Sequence, residues 1–193
     1  MKKVLVLACV LPAIWVASCK ETVSNKNIRQ MDHVLAARMS DSIGGIIKPQ
    51  LADGLTATLW GVDSLLVSPI AIDIDDKGRL YYNKTNRQSN SEFDIRAHRD
   101  WEIASISLQT VEDRRKFLHT ELSPENSYRN KWLKDVNGDS SRDWRDLAIE
   151  TEMVYRLDDS NGDGIADRSQ LVVDDFHDEV TDVAGGVLAD GDD

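Results

Sequence analysis

Two aspartate-rich loops in the last third of the chain carry the residues with the clearest chemistry. The first loop (residues 135–146) reads DVNGDSSRDWRD, and the second loop (residues 159–167) reads DSNGDGIAD. Calcium takes six to eight oxygen ligands, and a 12-residue loop supplies them from positions 1, 3, 5, 7, 9 and 12. Aspartate and asparagine at these positions predict calcium binding in both loops.

In the first loop every ligand position holds an oxygen donor. The predicted ligands are Asp135, Asn137, Asp139, Ser141 through its backbone carbonyl, Asp143 and Asp146. Position 6 holds Ser140, although the sharp turn there favours glycine. Position 12 holds Asp146, which is shorter than the usual bidentate glutamate.

The second loop fits the same pattern over its first nine positions. The predicted ligands are Asp159, Asn161, Asp163, Ile165 through its backbone carbonyl, and Asp167. Position 12 holds Gln170, so Asp158 or Asp174 would have to replace the bidentate ligand. An alternative interpretation of both loops is an Asx turn, in which the side chains accept hydrogen bonds from their own backbone.

The acidic charge is concentrated around these loops. The chain has 23 basic and 34 acidic residues, a net charge of −11, and residues 135–193 alone hold 4 basic and 18 acidic residues, or −14. Residues 19–134 hold 17 basic and 16 acidic residues, or +1. Interspersed apolar residues favour a folded acidic region over a disordered tail, and its charge disfavours nucleic acid as a partner.

Other combinations of reactive residues are weaker. The four histidines form no HExxH motif, and the sequence has no CxxCH haem motif, P-loop or dinucleotide fingerprint, so no catalytic residue is assigned. Arg96, His98, Asp100 and Trp101 lie close together and suggest either a polar site or ordinary loop hydrogen bonding. Asn83 begins a match to the N-glycosylation pattern.

Residues 1–18 are typical of a secretory signal peptide. Lys2 and Lys3 precede a 13-residue apolar run at 4–16, which is shorter than the ~20 residues that span a bilayer. The small residues before Cys19 resemble a bacterial lipobox, which implies cleavage before Cys19 and its lipidation. By the same resemblance, Lys20 favours the outer membrane. An ordinary signal peptide with an incidental cysteine is the alternative.

The remaining chain predicts a mainly β fold with short helices. Ile70, Ile72 and Ile74 alternate before a turn at 75–78, which predicts a hairpin with residues 79–83. Strands are also expected at 55–60, 152–157 and 170–173, with another beginning at 187–189.

The helical signals fall in two parts of the chain. Residues 28–43 form a short amphipathic pattern that Gly44 and Gly45 should end, so residues 19–54 are interpreted as a lipidated tether and short helix. Thr110 and Asp113 predict a helix over 111–122 with Val111 facing inward, and Ser123 predicts another running to Asp135. Residues 101–108 suit a strand or a helix start.

Four stretches resemble the N-terminal part of bacterial lipoprotein β-propellers of the quinoprotein glucose/sorbosone dehydrogenase-like group, often called PVC-type haem-binding CxxCH proteins. They are residues 65–73 (LLVSPIAID), 76–81 (DKGRLY), 154–167 (VYRLDDSNGDGIAD) and 181–186 (TDVAGG). The resemblance implies that residues 55–193 are the N-terminal blades of an incomplete propeller, with a helical insertion at about 110–148. The strand expected at 187–189 has no partner strand after it, and because an unpaired edge is unfavourable it predicts that the sequence stops inside a larger domain. A natural acidic C-terminus is the alternative.

In longer members of this group, the resemblance implies a propeller that oxidises a sugar or polyol with PQQ. It also implies a downstream cytochrome domain whose c-type haem accepts the electrons. No quinone-binding or catalytic residue of the group matches a position here. The alternative function is a calcium-stabilised surface lipoprotein for binding or adhesion, since the loops begin 24 residues apart (159 minus 135), as in paired calcium modules such as dockerin.

Overall fold

The computed structural model describes residues 27–88 and 90–190. They form one five-stranded antiparallel sheet with three α-helices and short 3₁₀ turns, so the predicted fold of strands with short helices is confirmed at this level. The strands are β1 (Ile28–Gln30), β2 (Pro69–Ile74), β3 (Leu80–Lys84), β4 (Glu152–Asp158) and β5 (Arg168–Phe176), and the helices are α1 (His33–Ile47), α2 (Glu102–Ile106) and α3 (Val111–Glu121). The predicted signal peptide and Cys19 lie outside the described residues.

The strand order is β1-β5-β4-β3-β2, so β2 to β5 are neighbours in the same order as along the chain. The predicted hairpin is confirmed, with Ile72 opposite Tyr82 and Ile74 opposite Leu80. Its turn is held by Asp75, whose Oδ1 accepts hydrogen bonds from the backbone of Lys77 and Arg79 at 3.0 and 2.9 Å. The strands predicted at 152–157 and 170–173 are also confirmed, as β4 and β5.

One apolar core, the sheet core, lies between the sheet and α1. Its buried apolar residues are Val62, Leu65, Tyr82, Leu157 and Ala166, with Met39 and Ile43 of α1 packed against them. The Tyr82 hydroxyl donates to the Leu65 carbonyl at 3.1 Å, and the Tyr82 ring stacks on Tyr155 at 5.2 Å. The sheet therefore buries one side through strand residues and α1 together.

A second core, the insertion core, lies in residues 85–151, the insertion between β3 and β4. It is built from Phe93, Trp101, Leu118, Leu122, Leu133 and Leu147. Helix α3 begins with the predicted capping box, in which Thr110 and Asp113 exchange side-chain to backbone hydrogen bonds. Residues 101–108, whose sequence suits either a strand or a helix start, contain α2.

Three predictions about the segment before the hairpin are wrong. The helical pattern begins at residue 28, whereas Ile28–Gln30 form β1, which pairs with β5, and α1 begins only at His33. Helix α1 continues through Gly44 and Gly45 to Ile47, because glycine costs a helix only about 1 kcal/mol per residue and the Lys48 N–H still bonds the Gly44 carbonyl at 3.4 Å. Residues 55–60 form no strand. The carbonyl of Leu59 accepts the Ser40 hydroxyl at 2.5 Å and that of Trp60 accepts the Ala166 amide at 2.7 Å.

Three further predictions in the insertion and near the end are wrong. Ser123 precedes only a 3₁₀ turn, Pro124–Asn126, instead of a helix reaching Asp135. Val111 is largely exposed, because it occupies the first turn of α3 away from the insertion core. Residues 187–189 form no strand, since they pass beside β2 with Ala189 N–H bonded to the Asp73 carboxylate at 2.8 Å.

The segment after β5, the C-terminal strap (residues 177–190), crosses from the insertion back to β2. Arg115 of α3 pairs with Asp178 and Glu179, and His119 lies 3.0 Å from the Glu179 carboxylate. The Val180 backbone N–H, together with Arg115, lowers the pKa of Asp178 to about 2. The strap therefore ties the insertion to the sheet through charged side chains.

Candidate acidic-loop site

The first loop is organised by the side chains at its positions 1, 3 and 5. Asp135 accepts hydrogen bonds from the backbone N–H groups of Gly138 and Ser140 at 2.8 and 2.9 Å. Asn137 Oδ1 accepts from the Asp139 N–H at 2.9 Å, and Asp139 Oδ1 accepts from the Ser141 N–H at 2.8 Å. These bonds turn the backbone around the three side chains.

The second loop repeats this pattern at the same relative positions. Asp159 accepts from the N–H groups of Gly162 and Gly164, both at 2.8 Å. Asn161 Oδ1 accepts from the Asp163 N–H at 3.2 Å, and Asp163 Oδ1 accepts from the Ile165 N–H at 3.0 Å. The two loops thus share one hydrogen-bond frame, although one lies in the insertion and the other joins β4 to β5.

Position 6 of each loop has left-handed backbone geometry. Gly164 has φ +91°, and Ser140 has φ +70° at the corresponding position of the first loop. Serine therefore adopts the conformation that the sequence pattern assigns to glycine, at some conformational cost. Serine in place of the usual glycine at position 6 therefore leaves the backbone path of the first loop unchanged.

Each loop is closed by a buried carboxylate. Asp146 accepts from the N–H groups of Val136, Asn137 and Asp143 at 2.8, 3.2 and 2.9 Å. Asp167 accepts the N–H and the hydroxyl of Ser160 at 2.9 and 2.7 Å. These two residues hold the ends of their loops together.

Several of the remaining predicted ligands have protein partners. Asp143 is buried and bonds the backbone and guanidinium of Arg145 at 2.9 and 3.0 Å. Asp158 pairs with Arg156 at 3.0 Å, and Arg156 also donates to Gln170 at 3.1 Å. Asp174, the other proposed replacement ligand, is exposed on β5.

The donor chemistry of both loops fits a hard cation. Asp135 and Asp159 each accept two N–H groups, while a carboxylate has about four lone-pair positions. The side chains at positions 3 and 5 also lie close together, with Asn161 Nδ2 2.9 Å from Asp163 Oδ2. Among the described residues, no three His, Cys, Asp or Glu side chains form a ready-made metal cluster, so amide and backbone oxygens would have to complete either site.

A third polar cluster lies at the junction of the insertion, the sheet and the strap, and no sequence pattern predicts it. Buried Glu152 accepts the Thr85 hydroxyl at 2.5 Å and the Ala184 N–H at 2.9 Å. Buried Arg87 donates to the carbonyls of Leu147 and Thr181 at 2.7 and 3.0 Å. A charged residue within a polar stretch carries no sequence signal of burial, so this pair could not be recognised in advance.

The other polar residues singled out from sequence do not form a joint site. Arg96 pairs with Asp94 at 2.7 Å, whereas His98 lies between Trp101 and Trp132, each with ring centroids 4.5 Å away. Burial lowers the pKa of His98, although Asp100 and Asp94 oppose the shift. Asn83 is buried and donates to the Ala184 carbonyl, so its amide is closed to glycosylation.

The groove along α1 does not suit the PQQ that the resemblance implies for longer proteins. A groove of about 380 Å³ runs along α1 past Ser40 and Gly44, and its one charged lining residue is Asp41. A carboxylate repels the carboxylates of PQQ. Neither cysteine of the chain belongs to the described residues, which therefore contain no thiol for haem attachment.

Comparisons of the chain with protein-family models, curated proteins and solved structures found no match. Within residues 27–88 and 90–190, no helix is both long and apolar enough to cross a bilayer.

Proposed function

We propose that residues 55–190 include a blade of a lipid-anchored β-propeller related to the quinoprotein dehydrogenase-like group. The observation that carries this proposal is where the resembling stretches fall. Residues 65–73 lead into β2, residues 76–81 make the turn into β3, and residues 154–167 cover β4 and the second loop. Strands β2 to β5 form a sequential four-stranded antiparallel meander, as in a propeller blade.

In this proposal the part described here is a scaffold. Oxidation of a sugar or polyol, and electron transfer to a c-type haem, belong to the longer protein that the resemblance implies. Cys19 carries the lipid that holds the protein to the outer membrane or in the periplasm. The first loop, in the insertion, and the second loop, at one end of β4 and β5, bind calcium through the residues at positions 1, 3 and 5.

The oxidoreductase proposal is tested on the complete protein isolated from bacterial membranes. Reduction of an artificial electron-accepting dye is measured with a panel of aldoses and polyols, with and without added PQQ. Sugar-dependent dye reduction supports the proposal. A complete protein that binds PQQ but reduces no dye with any member of the panel contradicts it.

A second candidate is a calcium-stabilised surface lipoprotein that binds a partner, and the hydrogen-bond frame shared by the two loops favours it. Both candidates use calcium, so metal binding is tested separately. The melting temperature of the mature lipoprotein is measured in EDTA and then in millimolar calcium. Dissociation constants of roughly 10⁻⁴–10⁻³ M predict a rise of several degrees at 5 mM.

Paired variants locate the metal. Asp135→Asn and Asp159→Asn remove a ligand charge from one loop each, and each should reduce the calcium-dependent rise. Asp63→Asn, an exposed aspartate outside both loops, is the control and should leave the rise unchanged. An unchanged melting temperature at 5 mM calcium in the parent protein would exclude both metal sites.

A further inference from the structure

Residues 46–55, the apolar loop, form an exposed segment with unusual composition. Every residue from 45 to 58 is exposed, and the loop includes four large aliphatic side chains. Ile46, Ile47, Leu51 and Leu55 are 78, 57, 45 and 64% exposed. Neither apolar core of the described residues includes any of the four. Four exposed aliphatic side chains in so short a segment make it a candidate interaction surface.

The backbone turns where the helix passes into the loop. Helix α1 ends at Ile47, its C-cap Lys48 has a φ of +43° that turns the chain, and Pro49 follows directly. Within the loop the Leu55 N–H bonds the Ala52 carbonyl at 3.1 Å, which closes a local turn. The apolar side chains are therefore presented by a short, locally turned segment at the end of a helix.

The distance to the proposed lipid limits where the membrane can be. Eight residue steps separate Cys19 from Asn27, so the chain allows at most about 29 Å between them. Helix α1 has 15 residues and is about 22 Å long. The helix is thus shorter than the reach of the linker, so the anchor allows the end of α1 that carries the apolar loop to face the bilayer.

The distribution of charge favours the same surface. Residues 28–58 contain three basic residues (Arg29, Arg38 and Lys48) and three acidic residues (Asp32, Asp41 and Asp53), a net charge of zero. Residues 135–193 carry −14. An anionic bilayer repels the acidic region and leaves the neutral part of the domain to approach it.

We propose that the apolar loop inserts into the interfacial region of the bilayer that holds the Cys19 lipid, and so fixes the orientation of the domain on the membrane. The inference rests on the proposed lipid anchor. Lipid on the thiol and amine of Cys19 attaches the protein stably through two or more acyl chains. The apolar loop adds a second contact, which sets which side of the domain faces the lipid.

The test uses the mature lipoprotein in vesicles of phosphatidylethanolamine and phosphatidylglycerol. Lipidation blocks Cys19 and processing removes Cys9, so Ile46→Cys provides one reactive thiol for an environment-sensitive fluorophore. Ile103→Cys on α2 is the matched control, because Ile103 is 80% exposed against 78% for Ile46. Nitroxide-labelled lipids should quench the probe at position 46 at least about threefold more than at 103, since interfacial segments lie 5–10 Å deep.

Each contrary outcome has a distinct meaning. Equal, weak quenching at both positions in an acylated protein overturns the loop contact while the anchor stands. Probe uptake by the parent protein, with no acyl mass in its mass spectrum, shows that the anchor itself is wrong. Shielding at position 46 that disappears with one copy per nanodisc means that a second copy covers the loop, which also overturns the proposal.

Discussion

The first and second loops share a hydrogen-bond frame but differ in how it is closed. In the first loop the buried carboxylate of Asp146 gathers three backbone N–H groups from an irregular part of the insertion. In the second loop the Asp167 carboxylate accepts from Ser160 alone among the described residues, because the antiparallel pairing of β4 with β5 already brings the loop ends together. The same local frame therefore depends on a side chain in one region and on strand pairing in the other.

This difference separates the structure that short sequence segments determine from the structure that depends on distant parts of the chain. The frame follows from Asp and Asn at positions 1, 3 and 5, whose side chains accept from backbone two to five residues further on. Closure depends on the surrounding fold. The insertion and the sheet also have separate apolar cores, so their connection depends on the polar junction of Arg87, Glu152 and the C-terminal strap.

The largest effect is expected at that junction, where Glu152→Ala tests whether the two regions unfold as one unit. The change removes the acceptor of the Thr85 hydroxyl and of the Arg87 and Ala184 N–H groups, and with it a carboxylate whose charge favours the buried Arg87 guanidinium. Because each buried donor left without its acceptor costs about 1–3 kcal/mol, we expect a loss of about 3–5 kcal/mol. Urea unfolding is followed by circular dichroism for the sheet and by hydrogen exchange at Leu118 for the insertion.

Both probes should shift together in Glu152→Ala, and Glu102→Ala on the exposed side of α2 should shift neither. An early transition confined to the insertion, with the sheet unchanged, would show that the regions are independent.

The second-largest loss of stability is expected on removal of the carboxylates that close the two loops, those of Asp146 and Asp167. Asp146→Ala leaves three N–H groups without their acceptor and should lower the free energy of unfolding by about 3 kcal/mol. Asp167→Ala affects one N–H and one hydroxyl of an exposed serine, so about 2 kcal/mol is expected. Chemical denaturation measures both, with Asp63→Ala as the surface control. Equal losses would mean that strand pairing contributes nothing to closure of the second loop.

A smaller, reciprocal effect is expected at position 6 of each loop. Ser140→Gly relieves a left-handed serine and should stabilise the protein by about 0.5–1 kcal/mol, while Gly164→Ser should destabilise it by about 1 kcal/mol. Ser141→Gly is the neighbouring control, and because Ser141 lacks a positive φ it should bring no gain. The midpoint of urea unfolding is measured for each variant. A lower midpoint for Ser140→Gly would contradict the argument that the left-handed backbone at Ser140 costs stability.

The smallest expected effect is a pH dependence of the free energy of unfolding that comes from His98 in the insertion. His98 lies in the insertion with its pKa lowered below 6.5 by burial, so the unfolded state binds the proton more tightly than the folded state. Its neutral form stabilises the fold fully above pH 6.5, and this contribution is lost as the pH falls through 6.5 towards the lowered pKa. The urea midpoint should therefore drop between pH 7.5 and 5.5, and less so in His98→Phe. An identical drop in the variant would assign it to other groups.

The hairpin, the strands β4 and β5, and the capping box of α3 were predictable because short-range rules determine them. A period of two, a glycine at a turn and a Thr–Asp pair at a helix start act over a few residues. The frame of the acidic loops is local in the same sense. Cation binding by the loops, and the function of the whole protein, stay predictions.

The failures come from contacts between distant parts of the chain. Residues 55–60 have a strand-like pattern, yet Ser40 of α1 and Ala166 of the second loop donate hydrogen bonds to the backbone carbonyls of Leu59 and Trp60. The burial of Arg87 likewise depends on carbonyls 60 and 94 residues further along the chain. No pattern within a short window encodes such partners.

The way in which the C-terminal strap is held has a consequence for sequence variation. Arg87 and Asn83 bond to carbonyls of Thr181 and Ala184, and Glu152 bonds to an N–H of Ala184. These contacts recognise the main chain, which every amino acid presents. We therefore expect residues 183–188 to vary freely among relatives, while Asn83, Arg87 and Glu152 stay constant. Evolutionary constraint then acts on the side chains that bind the segment and leaves the sequence of the segment itself unconstrained.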